Sequence, residues 1–188
     1  NTLFPNEAAL KTNAELGRLT VSNAAGLRGD TDNDGDIDQI LVYGARSFSI
    51  LDSAGNKVFD SADIIERIVS TQLTAAVFDD RSDNKGPEPE SIEIAKIGSK
   101  TYAFVGLERA HMTLAFDVTD PNNVTYTGAA QRAGDLNPEG GLYISAADSP
   151  TGKALYVTSN EVSNNVSVFE VAVKPYTLQL LHYYGESG

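Results

Sequence analysis

The chain has 188 residues, with 14 Lys and Arg against 26 Asp and Glu, a formal charge of −12, and neither Cys nor Trp. That charge argues against nucleic acid or an anionic membrane as the main partner, because a polyanion would be repelled over most of the surface, and it favours divalent cations. The lack of Cys removes disulfide scaffolds, thiolate zinc sites, iron–sulfur clusters and cysteine nucleophiles.

No apolar run reaches the ~18 residues of a membrane span, and no basic-then-apolar leader opens the chain. The first residue is Asn1 and the sole methionine is Met112, so the sequence is expected to be a mature or excised piece of a longer polypeptide. In chain order, residues 7–16 form a short Ala-rich helix candidate. Residues 18–22, 39–44 and 47–52 read as strands. Residues 61–69 read as a helix, with Ser61 as N-cap and Ile64, Ile65, Ile68 and Val69 at helical spacing. From there on the pattern is strand after strand, at 91–97, 101–107, 112–118, 141–146, 154–159, 166–172 and 177–182, punctuated by Gly, Asn, Asp and Pro.

An internal repeat organises these strands. Lys100, Glu108, Phe116 and Val118 map onto Lys153, Glu161, Phe169 and Val171 at an offset of 53, and Pro89-Glu90 maps onto Pro138-Glu139 at an offset of 49. A fainter copy runs through Gln39 to Asp52. A period near 50 residues with four short strands per unit predicts an all-β chain of β-propeller-type blades, each of four antiparallel strands. About three blades are present, at 18–60, 91–127 and 141–182, with 183–188 as a tail. Three blades form only a partial propeller, so the expected partners are the remainder of the propeller or other copies of the chain. A β-sandwich made by tandem duplication is the alternative fold.

Two acidic segments carry the candidate chemistry. Asp30-Thr31-Asp32-Asn33-Asp34-Gly35-Asp36-Ile37-Asp38 places carboxylates at every second position and Gly at the sixth, the pattern of a loop that wraps Ca2+ in hard oxygens. Asp30, Asp32, Asp34, Asp36 and Asp38 are the candidate metal ligands. An EF-hand does not fit, because its twelfth position falls on Leu41 and a strand follows; an ion-free Asp-rich turn remains open. The second segment, Asp79 to Glu90, is echoed by Gly134 to Gly140. Blade symmetry brings Glu90 towards Glu139 and Glu108 towards Glu161, so Glu88, Glu90, Glu108, Glu139 and Glu161 are channel or ligand candidates. Glu90, Glu139 and Arg81 are the catalytic candidates. The structural alternative is that each Pro-Glu pair makes a rigid start to the innermost strand of its blade.

The strings GRLTVS, GDTDNDGDIDQILVYGARSFSI, DDRSDNKGPEPESIEI, TYAFVGLERA, FDVTDP and LNPEGGLYISAADSPTGKALYVTSNEVS, with the closing YTLQLLH, resemble the choice-of-anchor I proteins. The resemblance implies a secreted, periplasmic or cell-surface bacterial β-propeller of which this chain is the C-terminal part. It also implies association with alkaline phosphatase or 5′-nucleotidase-like proteins. The closing strand is similar to the first strand of such phosphatase domains, but Tyr183 to Gly188 lacks their metal-binding Asp-x-His. The expected function is a calcium-binding module, non-catalytic by itself; the alternative is a metal-dependent phosphoric-ester hydrolase working in an acidic channel. Against hydrolysis stands the shortage of phosphate-gripping cations, with only Arg46, Arg81, Lys85 and Arg109 near the acidic segments. His111 and His182 are isolated. Asn123-Val124-Thr125 and Asn165-Val166-Ser167 fit the N-glycosylation pattern, which is common by chance.

Overall fold

The structure is a computed structural model that describes residues 3–24, 26–44, 46–174 and 177–184, with 174 and 177–184 described in their backbone. The order of elements is α1 (Glu7–Leu10), β1 (Ser49–Leu51), β2 (Lys57–Asp60), α2 (Ile64–Gln72), α3 (Ala75–Phe78), β3 (Pro89–Ile97), β4 (Lys100–Leu107), β5 (Met112–Asp117), β6 (Thr125–Ala130), β7 (Pro138–Ile144), β8 (Leu155–Asn160), β9 (Asn165–Lys174) and β10 (Thr177–Tyr184).

The fold is all-β and its units are blade-like. Strands β3-β4-β5-β6 form one four-stranded antiparallel meander and β7-β8-β9-β10 a second, while β1 and β2 form a two-stranded hairpin. The sequence repeat is a repeat of contacts. Lys100 Nζ donates to Asp117 at 2.7 Å, and Lys153 Nζ donates to Glu170 at 2.8 Å, 53 positions later. The Val118 N–H bonds the Thr101 carbonyl at 2.9 Å, as the Val171 N–H bonds that of Ala154 at 2.8 Å.

The two meanders stack with β3 against β7 and β6 against β10, so like strands meet like strands. Alternation along each strand sends Tyr102, Phe104 and Ala115 of the first sheet into a shared core with Tyr156 and Phe169 of the second. The Phe104 and Tyr156 rings stack at 4.7 Å between centroids. The opposite face of the first sheet, carrying Val105, Leu107, Met112, Leu114 and Phe116, is covered by Ile65 and Val69 of α2 and by Phe48. By the offset of 53, Leu155, Val157 and Val168 on the outer face of the second sheet stand where Tyr102, Phe104 and Ala115 stand on the first. That outer face leaves Leu142 and Val166 54% and 62% exposed.

The helices are shorter or shifted relative to the sequence pattern. Residues 7–16 keep only the four-residue α1, which buries nothing. In α2 the N-cap position is Asp63, and Ser61 bonds elsewhere. Its hydroxyl accepts the Phe48 N–H at 2.9 Å while its own N–H donates to the Phe48 carbonyl, also at 2.9 Å. The buried Ser61 thereby ties the start of the hairpin to the helix. The strand-like segments 18–22 and 39–44 meet at a single bridge, Val21 with Val42, supported by the Ser22 N–H on the Leu41 carbonyl at 3.1 Å. Both valines are exposed, and strand propensity without a sheet face to pack on does not extend a ladder.

Candidate metal loop and acidic cluster

Residues 29–39 close into a loop at a neck made by one carbonyl. The N–H groups of Asp38 and Gln39 both donate to the Gly29 carbonyl, at 2.8 and 2.9 Å. Gly29 is indispensable there: its φ is +76°, and a Cβ would lie 1.9 Å from the Gln39 oxygen. Inside the loop, side-chain oxygens take the backbone donors in sequence. Asp30 accepts from the Gly35 N–H at 3.2 Å, Asp32 from Asp34 at 3.2 Å, and Asp34 from Asp36 at 3.0 Å.

This folding gathers Asp30, Asp32 and Asp38, with one oxygen of each lying within 4.8 Å of the others. Asp34 and Asp36 stand outside that group and add to its negative field. Thr31 donates its N–H and hydroxyl to Asp38 at 2.8 and 2.7 Å, which holds the Asp38 carboxyl below its usual range. Asp36 is pushed up by desolvation and by the charges of Asp34 and Asp38. One oxygen of Asp30, Oδ1, is buried with no hydrogen-bond partner. A buried carboxylate oxygen without a donor is costly, and the oxygen-only donor set around it suits a hard cation.

The second acidic group is built differently. Glu88 and Asn137 occupy equivalent positions before β3 and β7, both with left-handed backbone, φ +55° and +59°. Each offers its carbonyl, at 2.9 Å, to the N–H of a repeat-related glutamate, Glu108 or Glu161. Glu88 and Glu108 are only 5% and 4% exposed, and with Glu90 their carboxylates fall within 4.8 Å of one another. Arg109 lies between them, donating Nε to Glu88 at 2.9 Å and placing Nη2 2.9 Å from Glu108. Lys85 also donates to Glu88, and Asn137 Nδ2 donates to Glu108 at 2.8 Å. Burial pushes the Glu88 carboxyl up, but the hydrogen bonds from Lys85 and Arg109 outweigh it and hold the group below its ordinary value. For Glu108 burial prevails, with the Glu88 charge adding to it, and its pKa rises to about 6.

Glu139 is raised first by the charge of Glu161, then by desolvation and the charge of Glu90. The five glutamates therefore gather at the same end of the two sheets. Arg81 is half-buried in the 79–87 turn, and among the described residues it forms no ion pair. Arg46 takes the organising role in that turn, donating to the carbonyls of Ser82 and Asn84 and pairing with Glu66 at 2.5 Å. Arg46 and Arg109, which the sequence marks only as cations near the acidic segments, hold the turn and the carboxylate pair together, and Asn137 is the partner that spacing alone did not single out. Asn137 had a signal, since it stands at the repeat position of Glu88. His111 is half-buried, and its Nδ1 accepts the Asn137 N–H at 3.2 Å, so its role is to join the two sheets. The side chain of His182 lies outside the described residues.

The choice-of-anchor I domain matches residues 1–121, a stretch that holds the acidic loop, the hairpin and all of β3 to β5. The chain belongs to the choice-of-anchor I family. Choice-of-anchor domains belong to surface or secreted proteins, and among the described residues no helix is long and apolar enough to cross a membrane. This choice-of-anchor I chain is also similar to Gigasin-3a of Magallana gigas, at 31% identity over 197 aligned positions covering 87% of the chain and 67% of that protein. No solved structure matches it.

Proposed function

We propose that this choice-of-anchor I chain is a calcium-binding β-propeller module of a secreted or cell-surface protein, non-catalytic by itself. The observation that carries the reading is the buried, partnerless Asp30 Oδ1 beside the gathered carboxylates of Asp32 and Asp38. Asp30, Asp32 and Asp38 would hold the ion, which supplies positive charge to a loop that otherwise repels itself and so pins residues 29–39 to the Val21–Val42 bridge. The affinity expected is that of extracellular modules, Kd about 10⁻⁴–10⁻³ M. On this reading the module's partners are further sheets of the same repeat, from the rest of the polypeptide or from other copies, laid on the outer face of the second sheet.

The phosphoric-ester hydrolase reading has weaker support. Lys85 and Arg109, the cations inside the glutamate cluster, are both engaged by Glu88, leaving the cluster poorly suited to grip a phosphate. Glu88, Glu108, Arg109 and Asn137 work as an internal joint between the sheets.

A calcium titration followed by thermal melting tests the proposal. At a hundredfold excess of calcium over Kd, the melting temperature is expected to rise by about 5–10 °C, and Asp30→Asn to abolish the rise. An unchanged melting temperature at that hundredfold excess, tens of millimolar calcium, overturns the calcium reading, and turnover of phosphate monoesters by the same sample overturns the non-catalytic one.

A further inference from the structure

The two N-glycosylation sequons look alike in sequence and lie in opposite surroundings. In Asn165-Val166-Ser167 the acceptor amide is already in use. Its Nδ2 donates to Asp135 at 3.0 Å, and its Oδ1 accepts from Asn160 Nδ2 and Ser163 Oγ, both at 2.9 Å. The Ser167 hydroxyl is buried and donates to the same Asp135. A sugar on Asn165 Nδ2 would have to break into a packed polar group: Asp135, a buried carboxylate that Arg132, Asn165 and Ser167 contact, on one side of the amide, and Asn160 and Ser163 on its Oδ1.

Asn123-Val124-Thr125 has the reverse arrangement. Asn123 closes the β5–β6 turn through its backbone, with its N–H on the Asp120 carbonyl at 2.9 Å, and its side chain is exposed. Val124 packs into the cluster beneath α2 and anchors the tripeptide. Thr125, the first residue of β6, is exposed, so the hydroxyl that the acceptor motif requires is accessible. This turn lies at the end of the sheets opposite Glu88, Glu108 and Glu161, because β5 runs between the Glu108 turn and the Asn123 turn.

We propose that, in a secretory route that supplies a lipid-linked oligosaccharide, Asn123 is the N-glycosylation acceptor of this chain and Asn165 is not. In the modification, Asn123 Nδ2 forms a bond to the anomeric carbon of an oligosaccharide carried on a lipid pyrophosphate. The carbon–oxygen bond to the pyrophosphate breaks, the lipid pyrophosphate leaves, and the amide proton passes to the transferring enzyme. The glycan would then project from the far end of the first sheet and leave the glutamate end uncovered.

The test is expression of the full chain through a eukaryotic secretory route, with intact mass and site mapping after glycosidase release in heavy-oxygen water. The expected result is one glycan at Asn123, converted to Asp on release, with Asn165 unmodified. Asn123→Gln and, separately, Thr125→Ala are expected to remove the whole mass increment. A chain secreted without any glycan, or one occupied at Asn165, overturns the proposal.

Discussion

Arg109→Met is the sharpest probe of the joint between the sheets. The substitution keeps much of the side-chain bulk but takes the positive charge away from two carboxylates that are 5% and 4% exposed. Glu88 retains Lys85, whereas Glu108 is left with the neutral Asn137 amide as its donor. Removing one partner of a buried ion pair typically costs about 3–5 kcal/mol, and the surviving Lys85 places the expected loss near the lower bound, about 3 kcal/mol. For a chain of this size that corresponds to a fall in melting temperature of roughly 6–12 °C. The pH dependence gives the sign. The folded pKa of Glu108, about 6, lies above its ordinary 4.5, so the folded state binds the proton more tightly and the cost of ionised Glu108 fades as pH drops from 6 towards 4.5. Loss of Arg109 raises that pKa further, so the variant's deficit should be smaller at pH 5.5 than at pH 8. Urea unfolding of both proteins at the two pH values measures it. A deficit below about 1 kcal/mol at pH 8, or a larger one at pH 5.5, would refute the claim that Arg109 neutralises a buried carboxylate pair.

Two further outcomes are expected. Gly29→Ala should open the neck of the acidic loop, because its φ of +76° costs a side-chain-bearing residue roughly 1–2 kcal/mol and the new Cβ would strike the Gln39 carbonyl; calcium titration should show affinity lost at least tenfold with the far-ultraviolet spectrum unchanged. Glu161→Gln removes the largest influence on Glu139, so the Glu139 titration followed by NMR should move down towards 4.5, and an unmoved midpoint would separate the two residues.

The repeat could be read from the residues because it is also a repeat of physical roles. Lys100 with Asp117 and Lys153 with Glu170 recur because the pairing of neighbouring strands recurs, and Pro89-Glu90 and Pro138-Glu139 recur because the first strand of each meander starts from the same left-handed corner. The turn of the acidic loop was readable as a local pattern of alternating Asp with Gly, but of its five aspartates only Asp30, Asp32 and Asp38 come together. What escaped were tertiary choices. The segments 18–22 and 39–44 have the composition of strands, yet only packing could have extended them beyond the Val21–Val42 bridge. Ser61 has the makings of a helix cap, but the distant Phe48 backbone claims its hydroxyl. Arg109 is adjacent to Glu108 in sequence, and its reach to Glu88 depends on a corner of the fold that spacing does not encode.

The two sheets, so similar in sequence, are unequally covered. The first lies between α2 and the second sheet, with apolar neighbours on both sides; the second has such a neighbour on one side and shows Leu142 and Val166 to solvent on the other. In a stack where each unit is held mainly by the units next to it, local opening is easiest where a neighbour is lacking. Amide exchange should therefore be faster in β9 than in β4 and β5, and any body that covers the outer face would slow it without touching the glutamate end or the acidic loop.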